Sequence, residues 1–252
     1  MEAPLLRHRP RMTVRLRPRW LGALLLVGAL HSAPVAPAQT NKPALHVFLQ
    51  LDAKSGALEK ILQQHLPALE VTVFSRYRDL EDASAAGSPD ALVAISPVLQ
   101  RRGGKPALQG TRDGKDVEPY LLVSVDNILD GPLSGKTIGA VDVMGRDGTQ
   151  SFVVALLKTN DVKVKRVAKT EDLLPLLEFS AADGILIPSS ALPRLIERTR
   201  LPIKSKEAPG GSVGLPALAI FKDANREIVT KALLAMDAAT LKILGIDAWG
   251  AR

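Results

Sequence analysis

Residues 133–151 read LSGKTIGAVDVMGRDGTQS, and this stretch decides the fold. Its apolar part, Lys136–Val141, predicts a strand, because a short apolar run bounded by turn residues is typical of a strand buried in a sheet. The glycine-bearing loop Gly145–Gly148 follows, and Gln150–Lys158 then predicts a helix with apolar residues at helical spacing. A strand, a loop and a helix in this order form the repeating unit of α/β folds.

The same alternation begins at Ala44 and continues along the chain. Two clusters of strand–helix units are separated by a polar connector at Asp126–Gly135, and a late apolar strand at Val213–Phe221 follows a glycine-rich loop. Repeats of this kind build a parallel sheet with helices on both faces. We therefore expect an α/β protein of two lobes, each a mainly parallel sheet flanked by helices, with two crossover hinge strands.

The domain boundaries follow from the late strand, which we expect to return to the first lobe. The chain then crosses between lobes twice, near Asp126 and near Gly214. Before the first crossing, Asp113-Gly114 predicts the turn of a hairpin. The predicted units are a signal peptide (1–38), lobe I (39–125 plus 213–252) and lobe II (126–212).

The N-terminus predicts export. A basic region ends at Arg19, and the apolar run Trp20–Leu30 has 11 residues, fewer than the roughly 20 that span a bilayer. Ala36-Pro37-Ala38 then has the form of a cleavage site. The chain has no cysteine, so neither a disulfide nor a lipid-accepting thiol is expected, and we predict a soluble periplasmic protein. The alternatives are a cytosolic protein with a disordered basic tail and an uncleaved anchor.

The charge distribution argues against nucleic acid as a partner. The chain carries a formal charge of +7, but residues 1–38 hold six arginines and one acid, which leaves only +2 for the remainder. A nearly neutral remainder has no electrostatic footprint for a phosphate backbone. Aromatic residues make up only 4% of the chain, too few for a stacking platform.

Several motifs together resemble one family. They are the segment Leu133–Val141 that opens the second lobe, the loop Gly145–Ser151 before a helix, Asp183–Pro188 after a leucine-rich helix, and the return strand Val213–Ile220. In this combination the chain resembles the type II periplasmic solute-binding proteins, most closely the phosphate/phosphite/phosphonate branch of ABC transporters. The resemblance implies two α/β lobes, a ligand held in the cleft between them, and delivery to a membrane permease.

The first candidate site is the turn Gly148-Thr149-Gln150-Ser151. It places two hydroxyls and unpaired amide groups at a helix N-terminus, where the helix dipole favours an anion. The matching loop of the phosphonate-binding relatives is rich in Ser and Thr; Thr149 and Ser151 agree with it, and Gln150 departs from it. The alternative is that Thr149 or Asp147 only caps the helix.

Four further candidates follow predicted strands, because ligands of open α/β sheets bind beyond the carboxyl ends of the strands. Arg76 could hold an anionic group or be a solvated charge. Tyr77 could line the cleft or belong to the core. Ser96 could donate its hydroxyl to a ligand, and Ser189 could contact the ligand or cap a helix.

No motif indicates catalysis. Ser134-Gly135-Lys136-Thr137 imitates the end of a P-loop but precedes a strand, and there is no G-x-S-x-G elbow. Past the leader only His46 and His65 remain, without metal-ligand spacing. We predict no enzyme activity, no metal and no cofactor, although a hydrolase using Ser96 is the alternative.

Two partners are compatible with a solute-binding fold. The first is the membrane permease of an ABC transporter, and the second is a membrane sensor kinase that reads the bound state. A degenerate binding protein without ligand is a further alternative. We expect a monomer that binds a small, oxyanionic, phosphonate-like molecule.

Overall fold

Short apolar runs of the sequence form the strands, and amphipathic segments between them form the helices. The computed structural model describes residues 42–50, 55–104 and 106–251. The predicted signal peptide, residues 1–38, lies outside the described residues. The strands are β1 (Ala44–Phe48), β2 (Glu70–Phe74), β3 (Ala91–Ile95), β4 (Pro106–Thr111), β5 (Val117–Val125), β6 (Thr137–Val141), β7 (Lys163–Val167), β8 (Gly184–Pro188), β9 (Ile203–Gly214), β10 (Pro216–Ile220) and β11 (Ala248–Ala251).

The helices lie between these strands and cover the sheets. They are α1 (Ser55–His65), α2 (Tyr77–Ala86), α3 (Ser96–Arg101), α4 (Gly145–Leu157), α5 (Leu173–Glu178), α6 (Leu192–Glu197), α7 (Arg226–Leu234) and α8 (Ala238–Ile243). None of the helices in the described part of the chain has the length and apolar character needed to span a membrane.

Two sheets define two lobes. The sheet of lobe I has the order β11-β4-β10-β3-β1-β2, and the sheet of lobe II has the order β7-β6-β8-β5-β9. The α/β fold with two sheets flanked by helices that the sequence predicts is therefore confirmed. The sheets are more mixed than expected, because only β2-β1-β3 and β7-β6-β8 pair in parallel, while β10, β11, β5 and β9 are antiparallel to their neighbours.

The chain crosses from lobe I to lobe II earlier than the sequence indicated. The turn at Asp113-Gly114 forms, but its two arms share only the bridge between Arg112 and Lys115, because β4 belongs to one sheet and β5 to the other. The first crossing lies between β4 and β5, not at Asp126. The chain passes from the sheet of β9 to the sheet of β10 just after Gly214.

The buried side chains form three clusters. One lies inside lobe I and one inside lobe II. The third runs from lobe I into lobe II without interruption. It includes Phe48 and Tyr77 of lobe I together with Met144 and Phe152 of lobe II. We call this group the interlobe cluster; because its members are buried, the lobes are closed against each other there.

Asp90 ties three segments of lobe I together at the start of β3. Its carboxylate accepts hydrogen bonds from the Ala44 amide (2.6 Å) and from Asn225 Nδ2 (3.1 Å). Lys222 Nζ lies 2.9 Å from the same carboxylate. Asp90 is only 6% exposed, so its charge is compensated by these partners and not by water.

Candidate functional site

A cavity of about 520 Å³ lies between the two lobes. Lobe I contributes Gln50, just after β1, and Lys242 near the end of α8. Lobe II contributes Thr170, after β7, and Ser190, after β8. Three of these four residues follow strands of the parallel parts of the sheets, which is where ligands of α/β folds bind.

A second, smaller cavity of about 120 Å³ adjoins the first and reaches the crossover strands. The two cavities share Gln50 and Ser190, and Tyr120 and Val213 line the smaller one. Tyr120 is buried, and this burial, reinforced by the charge of Glu118, raises the pKa of its hydroxyl. The tyrosine is therefore a neutral wall of the cavity at physiological pH.

Cations from both sides line the larger cavity. Arg112 follows β4, Lys242 belongs to α8 of lobe I, and Arg194 and Arg198 lie on the segment of α6 in lobe II. Glu171 is the one carboxylate among the described residues that line the same space. Glu171 Oε1 lies 3.5 Å from Arg198 Nη1, and both side chains are about half exposed. The cavity is thus electropositive, and it favours an anionic occupant.

Glu118 organises the junction of the two cavities. Its Oε2 lies 2.8 Å from Nη2 of Arg112, and its Oε1 accepts a hydrogen bond of 2.8 Å from the Ser190 amide. The Ser189 hydroxyl also donates to Oε1, at 3.4 Å. The Glu118 carboxylate on β5 therefore holds Arg112 and the serines that follow β8 in fixed positions.

Gln50 supplies a second kind of polar group. It lines both cavities, and its Nε2 is buried with no hydrogen-bond partner among the described residues. Burying an amide donor without a hydrogen-bond acceptor costs folding free energy. An oxygen acceptor in the cavity would satisfy it.

The predicted turn Gly148–Ser151 belongs to the first part of α4, and its polar side chains bond within lobe II. Thr149 is fully buried; its Oγ1 donates to Asp142 Oδ1 (2.9 Å) and accepts from the amides of Val143 (3.1 Å) and Met144 (3.2 Å). Gln150 Nε2 donates to the Val162 carbonyl (3.1 Å), and Ser151 Oγ donates to the Asp147 carbonyl (2.8 Å).

This turn faces lobe I, where the lobes are closed. A Cβ placed on Gly145 would lie 3.8 Å from Cε1 of Tyr77, and one placed on Gly148 would lie 3.2 Å from Cζ of Arg101. The turn therefore borders the interlobe cluster and does not line the larger cavity. A direct role of Gly148, Thr149, Gln150 and Ser151 in ligand binding stays a prediction.

The other predicted residues have separate surroundings. Arg76 forms two 2.8 Å hydrogen bonds to Asp79 on the exposed start of α2. Tyr77 belongs to the interlobe cluster, packs edge-on against Phe48 and carries the Arg102 guanidinium 5.5 Å from its ring centre. Ser96 packs against Gly214 at the return crossing. Gly214 lines the smaller cavity, and Ser189 lies next to Ser190, which lines both cavities, so Ser96 and Ser189 both lie beside the cavity region.

Sequence reasoning missed the charged residues of the cavity. Arg112 lies in the segment that was predicted to be a plain hairpin, and Lys242 lies in a helix assigned only to the return to lobe I. Periodicity identifies buried positions, and it gives no signal for a charge that two distant segments bring together. Their position just after a strand or at a helix end was the only local clue.

Comparison with solved structures shows similar two-lobed domains. The periplasmic VFT2 domain of BvgS from Bordetella pertussis is 16% identical, with a TM-score of 0.51 over 81% of this chain and 93% of that one. XAC2383 from Xanthomonas citri, solved bound to ATP, is 14% identical, with a TM-score of 0.58 over 84% and 92%. The ligand-binding core of GluR0 from Nostoc punctiforme, in complex with L-glutamate, is 12% identical, with a TM-score of 0.53 over 80% and 96%.

These identities are low, so the likeness establishes the fold and nothing finer. The chain has the two-lobed fold of periplasmic binding, or Venus-flytrap, domains, and the predicted resemblance is confirmed to this extent. The similar structures are ligand-binding domains and solute-binding proteins. No protein-family model matches the chain, and no curated protein matches it. The phosphate/phosphonate branch stays a prediction.

Proposed function

We propose that this chain is a periplasmic receptor that binds a small anionic solute in the cavity between its lobes. The observation that carries the proposal is the cavity itself, about 520 Å³ in volume and lined by cations that both lobes supply. This volume falls within the range of roughly 300–1,000 Å³ typical of small-molecule sites. The cavity lies in the cleft, where lobe closure would sequester a ligand.

The ligands of two similar structures support an anionic solute. XAC2383 was solved with ATP and the GluR0 core with L-glutamate, and both molecules carry acidic groups. An oxyanion of the phosphonate type is compatible with the arginines here, because guanidinium groups bind phosphonate and carboxylate oxygens in a bidentate manner. We place this oxyanion in the cavity, and we keep the Gly148–Ser151 turn as the alternative position.

The receptor would act as a monomer on a membrane partner, either the permease of an ABC transporter or a sensor kinase. Deleting the gene separates the two. Loss of solute uptake supports the permease, whereas loss of a transcriptional response to the solute, with unchanged uptake, supports the kinase. The proposal is binding alone, without a catalytic step.

A thermal-denaturation screen of the full chain tests the site. An anion at a hundred times its Kd should stabilise the protein by about 2.7 kcal/mol. Ser190→Trp, which fills the cavity, should abolish this stabilisation, and Ser151→Trp, on the exposed face of α4, should preserve it. The reverse pattern would move the site to the turn. Absence of stabilisation by every phosphonate, carboxylate and nucleotide tested would refute the receptor function.

A further inference from the structure

We infer that the ligand is a dianion with two separate acidic groups, each bound by a different lobe. This inference rests on the proposed receptor function and specifies its ligand. It depends on how charge and apolar surface are distributed over the cavity walls.

Among the described residues that line the two cavities, cations outnumber carboxylates. Four cations, Arg112, Arg194, Arg198 and Lys242, face two carboxylates, Glu171 in the larger cavity and Glu118 in the smaller one. A ligand with more than one negative charge suits this excess of cations better than a monoanion does.

The cations do not share one wall. Lys242 belongs to α8 of lobe I and forms no ion pair with another described residue, while Arg198 follows α6 of lobe II. Like charges on opposing walls repel, and the repulsion increases as the walls approach. An acidic group beside Lys242 and another beside Arg198 would convert this repulsion into attraction. Two groups on the same ligand would therefore favour closure more than one group could.

Two of the ion pairs at the cavity differ in strength. Arg112 and Glu118 are 2.8 Å apart, and both are largely buried. Arg198 and Glu171 are 3.5 Å apart and about half exposed, so water screens their attraction. Arg198 can thus exchange Glu171 for a ligand carboxylate at small cost, whereas Arg112 stays with Glu118. We assign the two acidic groups to Lys242 and Arg198, one from each lobe.

Apolar side chains also line the cavity. Leu174 and Leu195 of lobe II and Ile243 of lobe I line the cavity beside the cations. A ligand that fits both features has a hydrocarbon spacer between its acidic groups. An α,ω-dicarboxylate has this chemistry, and an alkylphosphonate, whose two charges lie on one group, does not.

Calorimetric titration of the full chain tests the inference with matched probes. The dicarboxylates succinate, glutarate, adipate and pimelate are compared with the monocarboxylate of the same carbon number and with butylphosphonate. At least one dicarboxylate should bind about tenfold or more tightly than its monocarboxylate, as expected for one additional charge-assisted contact.

Two variants locate the acidic groups. Lys242→Gln and Arg198→Gln should each weaken the dicarboxylate about tenfold, whereas a monocarboxylate should respond to only one of them. Lys165→Gln, which removes the same charge from the exposed edge strand β7, should change neither affinity. Equal affinity for mono- and dicarboxylates, or tighter binding of butylphosphonate, would overturn the inference and leave the receptor function standing. If no anion binds, both fail.

Discussion

At the scale of single residues, some polar side chains that were predicted as ligand contacts form hydrogen bonds to the backbone of lobe II. Thr149 is an example. Its hydroxyl donates one hydrogen bond and accepts two, all inside the segment between β6 and α4. Arg166 Nη1 lies 2.6 Å from the other oxygen of Asp142, the carboxylate that Thr149 binds. A serine or threonine at a helix start fits either role, and sequence alone does not separate them.

The contribution of the buried Asp90 carboxylate to folding stability depends on pH. Burial alone raises its pKa, but the hydrogen bonds from the Ala44 amide, Lys222 and Asn225 together lower it below the ordinary value. The unfolded chain therefore binds a proton more readily than the folded protein as the pH falls past about 4. The contribution of Asp90 to stability is present above this pH and is lost below it.

Asp90→Asn should accordingly destabilise the protein at pH 7 by about 1–3 kcal/mol, because buried donors lose a charged acceptor. The difference from the wild type should shrink as the pH falls below about 4. Urea denaturation at a series of pH values measures both. Asp130→Asn, at an exposed carboxylate, serves as the control and should have little effect. A difference that stays constant down to pH 3 would contradict this account.

At the scale of strands and helices, the sequence identified most elements but not all of their partners. Tyr120–Val125 was predicted as a strand, and the structure has β5 there. Its lobe was misassigned, because alternation gives the buried face of a strand and not the sheet that receives it. In the structure Leu122 pairs with Leu186 of β8, which places β5 in lobe II. The four-residue strand β11 is too short to show any period.

The glycines of β9 illustrate a motif whose role is packing. Residues 210–214 read GGSVG, which superficially resembles a nucleotide-binding loop, yet they end a strand. A Cβ on Gly210 would lie 2.6 Å from the Ala155 carbonyl oxygen and 2.6 Å from Cα of Leu156. The glycine is needed because the backbones of β9 and α4 approach this closely.

Gly210→Ala should therefore destabilise the protein by about 1–3 kcal/mol, since backbone atoms cannot rotate out of the way. The same substitution at Gly56, in α1 with open space around it, should be neutral or stabilising by up to about 1 kcal/mol. Chemical denaturation of the two variants gives the comparison. Equal effects at the two positions would show that β9 does not rest on α4 as described.

At the scale of the whole molecule, the interlobe cluster joins the lobes through side chains that are each less than a tenth exposed. Separating the lobes would expose this surface, at about 25 cal/mol for each Å² of apolar area. We therefore expect the two lobes to unfold together. The sequence predicted two lobes and a cleft. It did not predict that side chains would pack between the lobes, since Tyr77 and Met144 come from distant segments.

Differential scanning calorimetry should show a single transition for the wild type, with equal calorimetric and van't Hoff enthalpies. Tyr77→Glu, which places a charge in the interlobe cluster, should broaden or split the transition and increase the radius of gyration in small-angle X-ray scattering. Leu218→Ala, a buried position within lobe I alone, should lower Tm but keep one transition and the same radius. Two transitions in the wild type would show that the lobes are independent.

The contact between the lobes at the interlobe cluster also limits the motion that a bound solute would produce. Phe48 and Tyr77 of lobe I pack in one buried cluster with Met144 and Phe152 of lobe II. A solute that binds in the larger cavity would then draw the charged walls together. The lobes would rotate slightly about the interlobe cluster and would not close from a fully open position. In the proposed receptor, the membrane partner would therefore detect a small rotation of one lobe against the other.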